Sequence, residues 1–467
     1  MLLSYYSVTM KGKNQQRGIL INMPDSLFDN DESSSQNEMD RVKGNLYSID
    51  EVFEMIENLI IKKDFRLISE IFFYIRNKFS DNNIVLLNLY YYQALKEISS
   101  YQINNAKKFI NLGISKLLYV PTLDGSLKNL LNLYYIERHR CNYLQGNYKE
   151  SLDYYTNLLS DNFQELQENL KLKVYSYIGE IYYDMGLFKE CLENYEKALK
   201  IAMEIKSYHG IAYILNNHAK THKSINNVDI SYESYKLSLH FSEKTKNPFI
   251  ITKNLLDLGI LLNSQGQVLS DQYYLQKLTE HENVIGKNQL IESIIKLLKK
   301  NADFLQEIRF EDYEELLLQE NCDFQTKIIV LELYLQLLLK NMKENRFDEV
   351  FVKFQNTINE LETITRNNKL YPIFIKSRLL KSKYYLIDAN FQKALLVLQE
   401  TIEQIKGKNL DIYIKLLETE IQKINMNTIL FGKITLEALQ VTSFVTQHLN
   451  EFLHYLFNFT YMVSKYS

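Results

Sequence analysis

His218 and His222 stand four residues apart in "NNHAKTHKS" (216–224), the spacing that places two imidazoles on one face of a helix. Such a pair is half of a zinc site, and zinc takes three or four protein ligands. No Cys, Asp or Glu beside them completes a set, and the chain holds no HExxH. The two rings are therefore read as packing groups that hydrogen-bond to nearby tyrosine hydroxyls or backbone. Buried rings of this kind loosen their surroundings on protonation below about pH 6. Cys191 has the chemistry of a nucleophile, but it falls in a column of small packing residues described below. The acidic run "FEDYEELL" (310–317) is of the kind that covers a solvated helix face. GxSxG, a GK[ST] phosphate loop and GxGxxG are all missing. The sequence predicts no catalytic residue, no metal ligand and no cofactor.

The elements that carry these groups follow from composition. The chain has 467 residues, 46% hydrophobic and 24% charged, with only 4 Pro and 14 Gly. An all-β protein needs turn residues every 8–12 positions, so this scarcity points to long helices joined by short turns. The net charge is −3 without a basic run, which argues against nucleic acid. Cys141, Cys191 and Cys322 lie far apart, as in a protein of a reducing, cytoplasmic compartment. The most apolar stretch, "IIVLELYLQLLL" (328–339), is short and carries Glu332 and Gln336, so no membrane helix is expected. The 35 Tyr against no Trp read as a compositional bias. The start lacks the pattern of a signal peptide.

Residues 1–45 are rich in Asp, Ser and Asn and read as a disordered polar leader. Beyond them, apolar residues recur at helical spacing, and an internal repeat emerges. Gly146, Gly186, Asn226 and Gly266 follow one another by 40 residues (186 − 146 = 40). Two positions later come Tyr148, Phe188, Val228 and Val268, then Ser151, Cys191, Ser231 and Asp271, then Tyr155, Tyr195, Tyr235 and Leu275. Seven positions before the first column stand His139, Gly179, Ala219 and Gly259. The pattern describes a helical hairpin: small residues at the crossing, a positive-φ residue at the turn, and a ring filling the groove. Each hairpin leaves an apolar face bare, so neighbours must stack.

The stretch "YSYIGEIYYDMGLFKECLENYEKALKI" (175–201) resembles a tetratricopeptide repeat through Gly179, Tyr182, Gly186, Phe188, Cys191, Tyr195 and Ala198. The longer spacing is similar to the repeats of kinesin light chains, MalT-like regulators and bacterial peptide-sensing regulators. Weaker matches lie at 90–113, with Ala94 and Ala106, at 330–358, and at 376–402, with Ser382, Phe391 and Ala394. Residues 280–325 are helical but off pattern. The resemblance implies an all-α, right-handed superhelical solenoid of seven to nine stacked antiparallel hairpins. Its parts are degenerate hairpins over 46–125, a core array over 126–285 and degenerate repeats over 286–430. A C-terminal helix over 431–467 packs on and caps the last repeat, or serves self-association or the binding of a partner.

In such arrays the first helix of each hairpin lines the concave side, where the family binds peptides. The positions that fall there are Ile136, Arg140 and Tyr143, then Glu180, Tyr183 and Asp184, then Asn216, Lys220 and Lys223, and finally Ile260 and Asn263. Asparagine amides there suit a peptide backbone, and Arg140 and the lysines suit a carboxylate. The resemblance implies a non-catalytic scaffold for a protein or peptide ligand. The alternative it implies is a peptide-sensing intracellular regulator, for which residues 47–120 show no helix-turn-helix signal.

Overall fold

The computed structural model describes residues 49–431, apart from 63–64, 163, 246, 287–288, 303–309, 319–323, 344–346 and 389, together with Val463. The leader lies outside the described residues, as does the C-terminal helix except for Phe431 and Val463. Among the described residues every regular element is a helix. The described part begins with α1 (Ile49–Lys62), α2 (Phe65–Lys78), α3 (Asn83–Ser99) and α4 (Ile103–Leu118). Three regular hairpins follow: α5 (Gly125–Leu144) with α6 (Tyr148–Asn162), α7 (Glu168–Met185) with α8 (Phe188–Glu204), and α9 (Tyr208–Ser224) with α10 (Val228–Lys244). The fourth row holds α11 (Pro248–Ser264) and α12 (Gln272–Glu280), and the off-pattern part holds α13 (Glu282–Gly286), α14 (Gln289–Ala302) and α15 (Phe310–Leu317). Longer helices then resume with α16 (Phe324–Lys343), α17 (Phe347–Asn367), α18 (Tyr371–Ile387), α19 (Phe391–Ile405) and α20 (Asp411–Phe431).

The turn column does what its residue types require. Gly146, Gly186, Asn226 and Gly266 all have positive φ, from 62° to 81°. Around each, the same two backbone bonds close the first helix: Gly186 N to Tyr183 O at 3.0 Å and Leu187 N to Tyr182 O at 2.9 Å, with equivalents at the other three turns. Orphan carbonyls at the helix end are thereby satisfied.

The small column sets the helix crossing. A Cβ on Gly179 would lie 2.5 Å from the Tyr195 ring. Tyr134 sits in the same way over Gly113, and Tyr274 over Gly259. The opposite small residues bind across the pair: Ser151 Oγ donates to the carbonyl of His139 and Ser231 Oγ to that of Ala219, each at 2.8 Å. In the fourth row the register shifts. Asp271 caps α12 by accepting from Tyr274 N at 2.7 Å, so the second helix begins four residues later than in the other rows. The ring over Gly259 is therefore Tyr274, and Leu275, expected there, is only half-buried. Beyond α10, α11 packs more on α14 than on α12, the helix expected to pair with it.

Curvature follows from which helices meet. The first helices of successive hairpins, α3, α5, α7, α9 and α11, contact one another in order, while second helices meet chiefly the helices flanking them in sequence. The inner side of a curved stack is where like helices come closest, so the first helices line it.

Candidate functional site

The predicted residues form a polar strip along α5, α7, α9 and α11. At its start Glu137, fully buried, takes Lys173 Nζ at 2.9 Å, Tyr177 Oη at 3.2 Å and Arg140 Nη1 at 3.4 Å. Burial pushes the Glu137 carboxyl up, but Lys173 and Arg140 outweigh it and hold it below the ordinary range. The Arg140 guanidinium lies 5.0 Å from the centre of the Tyr177 ring. Ile136 is fully buried in the hydrophobic core, with its carbonyl accepting from Tyr155 at 2.8 Å, so its side chain offers no surface to a partner.

On α7 two carboxylates stand one turn apart. Glu180 accepts from Tyr213 Oη, and Asp184 accepts from Tyr143 Oη at 2.8 Å. Neither makes an ion pair among the described residues. Asp184 also sits in the last turn of its helix, where the backbone dipole repels an anion. Burial, with Glu180 nearby, lifts its carboxyl to about 7 despite the tyrosine bond. Tyr183 Oη pairs with Ser224 Oγ at 3.0 Å.

On α9 and α11 the charges are mostly matched. Asn216 donates to Asn254 and to Asp257, both at 2.9 Å. Asp257 also pairs with Lys253 at 2.9 Å and Lys220 at 3.4 Å. Burial and the neighbouring Lys253 bring Lys220 down to about 8 in spite of Asp257. Asn263 donates to Gln336 of α16 at 3.2 Å, and Ile260 packs half-buried against the core. Lys223 has no hydrogen-bond or ion-pair partner among the described residues. Burial lowers its ammonium, and of the two carboxylates acting on it, Glu332 and Asp257, the stronger, Glu332, is already paired with Lys376 at 2.7 Å.

The sequence reading missed Glu137, Lys173, Tyr213, Lys253 and Asp257. The signal was present: positions 133, 137, 140 and 144 form one helical stripe, and the same 40-residue register carries it into the next hairpins. Both histidines are buried, with His222 Nε2 3.2 Å from His218 Nε2 and His218 Nδ1 3.1 Å from Ser234 Oγ. Their partners are thus each other, Ser234 and, at 3.5 Å, Asn227, in place of the tyrosine hydroxyls or backbone groups expected. Cys191 is fully buried beside Thr221, and burial pushes its thiol up to about 12, far from a thiolate at neutral pH. In "FEDYEELL", Glu314 binds Lys353 at 2.9 Å and Tyr334 at 2.8 Å. Glu243, Glu280 and His281 cluster as metal ligands could, but Lys277 occupies the middle, 2.8 Å from Glu243 and 2.6 Å from Glu280.

No family model and no curated protein matches the chain. Among solved structures it is similar to a Rap protein complexed with competence and sporulation factor, at 14% identity, over 81% of this chain and 97% of that one, with a TM-score of 0.43. It is similar also to the apo form of RapI, at 15%, over 62% and 97%, TM-score 0.37. The TPR domain of P58(IPK) follows at 13%, over 81% and 99%, TM-score 0.22. These values are too low to bear on what this chain binds. Its own hairpins are tetratricopeptide-like: the turns, the small crossings and the rings over them show it. No helix among the described residues is long and apolar enough to cross a membrane.

Proposed function

We propose that this chain is a non-catalytic binding protein of the cytoplasm that holds an extended peptide segment along its concave face. The observation that carries the reading is the set of charges left without partners there. Among the described residues Glu180 and Asp184 bond to tyrosine hydroxyls and make no ion pair, and Lys223 makes neither a hydrogen bond nor an ion pair, feeling Glu332 and Asp257 only at longer range. Uncompensated charge inside a fold is costly, and a ligand that supplies the opposite charges regains that energy on binding. The matching ligand carries a cationic side chain toward α7 and a carboxylate toward Lys223. The neighbouring amides of Asn216 and Asn263 suit its backbone.

A display library of random peptides, selected on the full chain, tests this. Lys- or Arg-containing peptides with an acidic group should be enriched. Asp184→Lys should lose them, and Lys223→Glu should shift the preference in the acidic half. Enrichment that is absent, or unchanged in both variants, would overturn the reading. A stability measurement adds a second arm. Asp184 binds a proton more tightly folded than unfolded, so it contributes stability below pH 4 that is lost as pH rises toward 7. Asp184→Asn should therefore raise the melting temperature of the empty protein at pH 8 while weakening peptide capture.

A further inference from the structure

Three hairpin turns touch helices a nearly constant distance further along the chain. At the α3–α4 turn, Tyr101 packs edge-on against Phe324 at the start of α16, ring centres 4.4 Å apart, and its hydroxyl bonds to Gln325. After the α5–α6 turn, Tyr148 meets Tyr371 at the start of α18, ring centres 6.2 Å apart, and a Cβ on Gly146 would run into the same Tyr371 ring. At the α7–α8 turn, a Cβ on Gly186 would lie 3.6 Å from both Ile412 and Tyr413 of α20 and 2.8 Å from Val463. The offsets are 324 − 101 = 223, 371 − 148 = 223 and 412 − 186 = 226. With 40 residues per hairpin, one superhelical turn takes between five and six hairpins, and the next turn seats directly on it. Contact between α7 and α18 belongs to the same seam.

The inward groups behind this seam lie within electrostatic reach of the helices that make it. Tyr213 keeps 41% of its surface open, yet burial holds its hydroxyl well above the ordinary tyrosine range. Tyr413, itself fully buried, stands close enough to Asp184 and Tyr183 to feel their charge. Glu332 and Lys376, which act on Lys223, come from α16 and α18, the helices whose first residues make the seam.

We infer that the aromatic seam closes the concave face laterally into a channel, which admits an extended peptide chain and excludes a folded domain. That the occupant is a peptide rests on the reading above; the closure does not.

Accessibility from within tests it on the full chain. Lys223→Cys is placed in a Cys322→Ser background, the remaining Cys141 and Cys191 being buried. A small maleimide should label it, and a maleimide on a long polyethylene glycol chain should react at least about tenfold more slowly, limited by local opening. Leu396→Cys, on the exposed side of α19, should take both reagents alike. Adding Tyr371→Ala should bring the two rates at Lys223→Cys together, while Tyr371→Phe should keep them apart. Should Tyr371→Ala lose its helical signal, Phe324→Ala opens the seam at its other end. Equal rates with the seam intact, no change in either opened variant, or a Cys that neither reagent reaches would overturn the closure. Peptides that bind although both reagents enter freely would sink the channel alone. A size-selective channel that selects no peptide would sink the peptide reading alone.

Discussion

The α7–α10 hairpins and the α16–α19 hairpins have the same architecture and different locks. In the first pair the crossing is set by Gly179 and Ala219, with the rings of Tyr195 and Tyr235 packed beside them. In the second, Ser382 and Ala394 make the close approach through a 3.0 Å bond from Ser382 Oγ to the Ala394 carbonyl. The space beyond is filled by ions. Arg378, only 4% exposed, reaches Glu362 at 3.1 Å, Glu400 at 2.7 Å, Thr401 at 3.0 Å and the Val397 carbonyl at 3.0 Å. Lys381 adds a 2.8 Å bond to Glu362. The contrast teaches that a hairpin of this kind requires only small residues where its helices cross. What fills the rest can be a ring, which loses little when conditions change, or a guanidinium fork, which fails badly when one member goes.

The largest effect should come from breaking the ionic lock. Arg378→Ala removes the whole fork and opens a cavity, although Glu362 keeps Lys381 and Arg366 and the Val397 carbonyl keeps Thr401, and should cost about 2–5 kcal/mol in denaturant unfolding. Overfilling the other lock should cost less: Gly179→Val forces the Tyr195 ring aside, for about 1–3 kcal/mol. Acid should separate the two regions further. Burial, with His222 beside it, lowers His218 to about 3, so the unfolded chain takes up a proton that the folded chain refuses. Stability from His218 is complete above about pH 6.5 and falls by about 1.4 kcal/mol per unit below it. Hydrogen exchange at pH 5 should loosen α9 and α10 before α18 and α19, and His218→Gln should remove the difference. The smallest effect belongs to the exposed turn at Asn226, where Asn226→Gly should move stability by about 0.5 kcal/mol or less. Gly186→Asn, at an equivalent turn lodged under Tyr413 and Val463, should be plainly worse in the same melting experiment.

Much of this was legible in the chain itself. The turn column, the small crossings and the tyrosines over them are local requirements of one hairpin, so each leaves its residue type in place. The polar strip was half legible. Arg140, Glu180 and Lys220 were found from the register, while Glu137 and Asp257, one turn earlier on the same stripe, were not. Tyr274 was misplaced by one residue because Asp271 caps its helix late, and a fixed register cannot anticipate a shifted start. The ionic lock of Arg378 left no mark, since a charged residue in a helix reads as a solvated one until its surroundings are known.

The sequence by itself determined the hairpins, their order and the face each first helix turns inward, because those depend on contacts within 40 residues. Only the tertiary structure decided which inward charges meet, and that Asp184 and Lys223 make no ion pair among the described residues. It alone decided that Tyr148 seats on Tyr371, 223 residues away. The pitch of a superhelix is the sum of small rotations over five or six hairpins, and no single residue carries that sum.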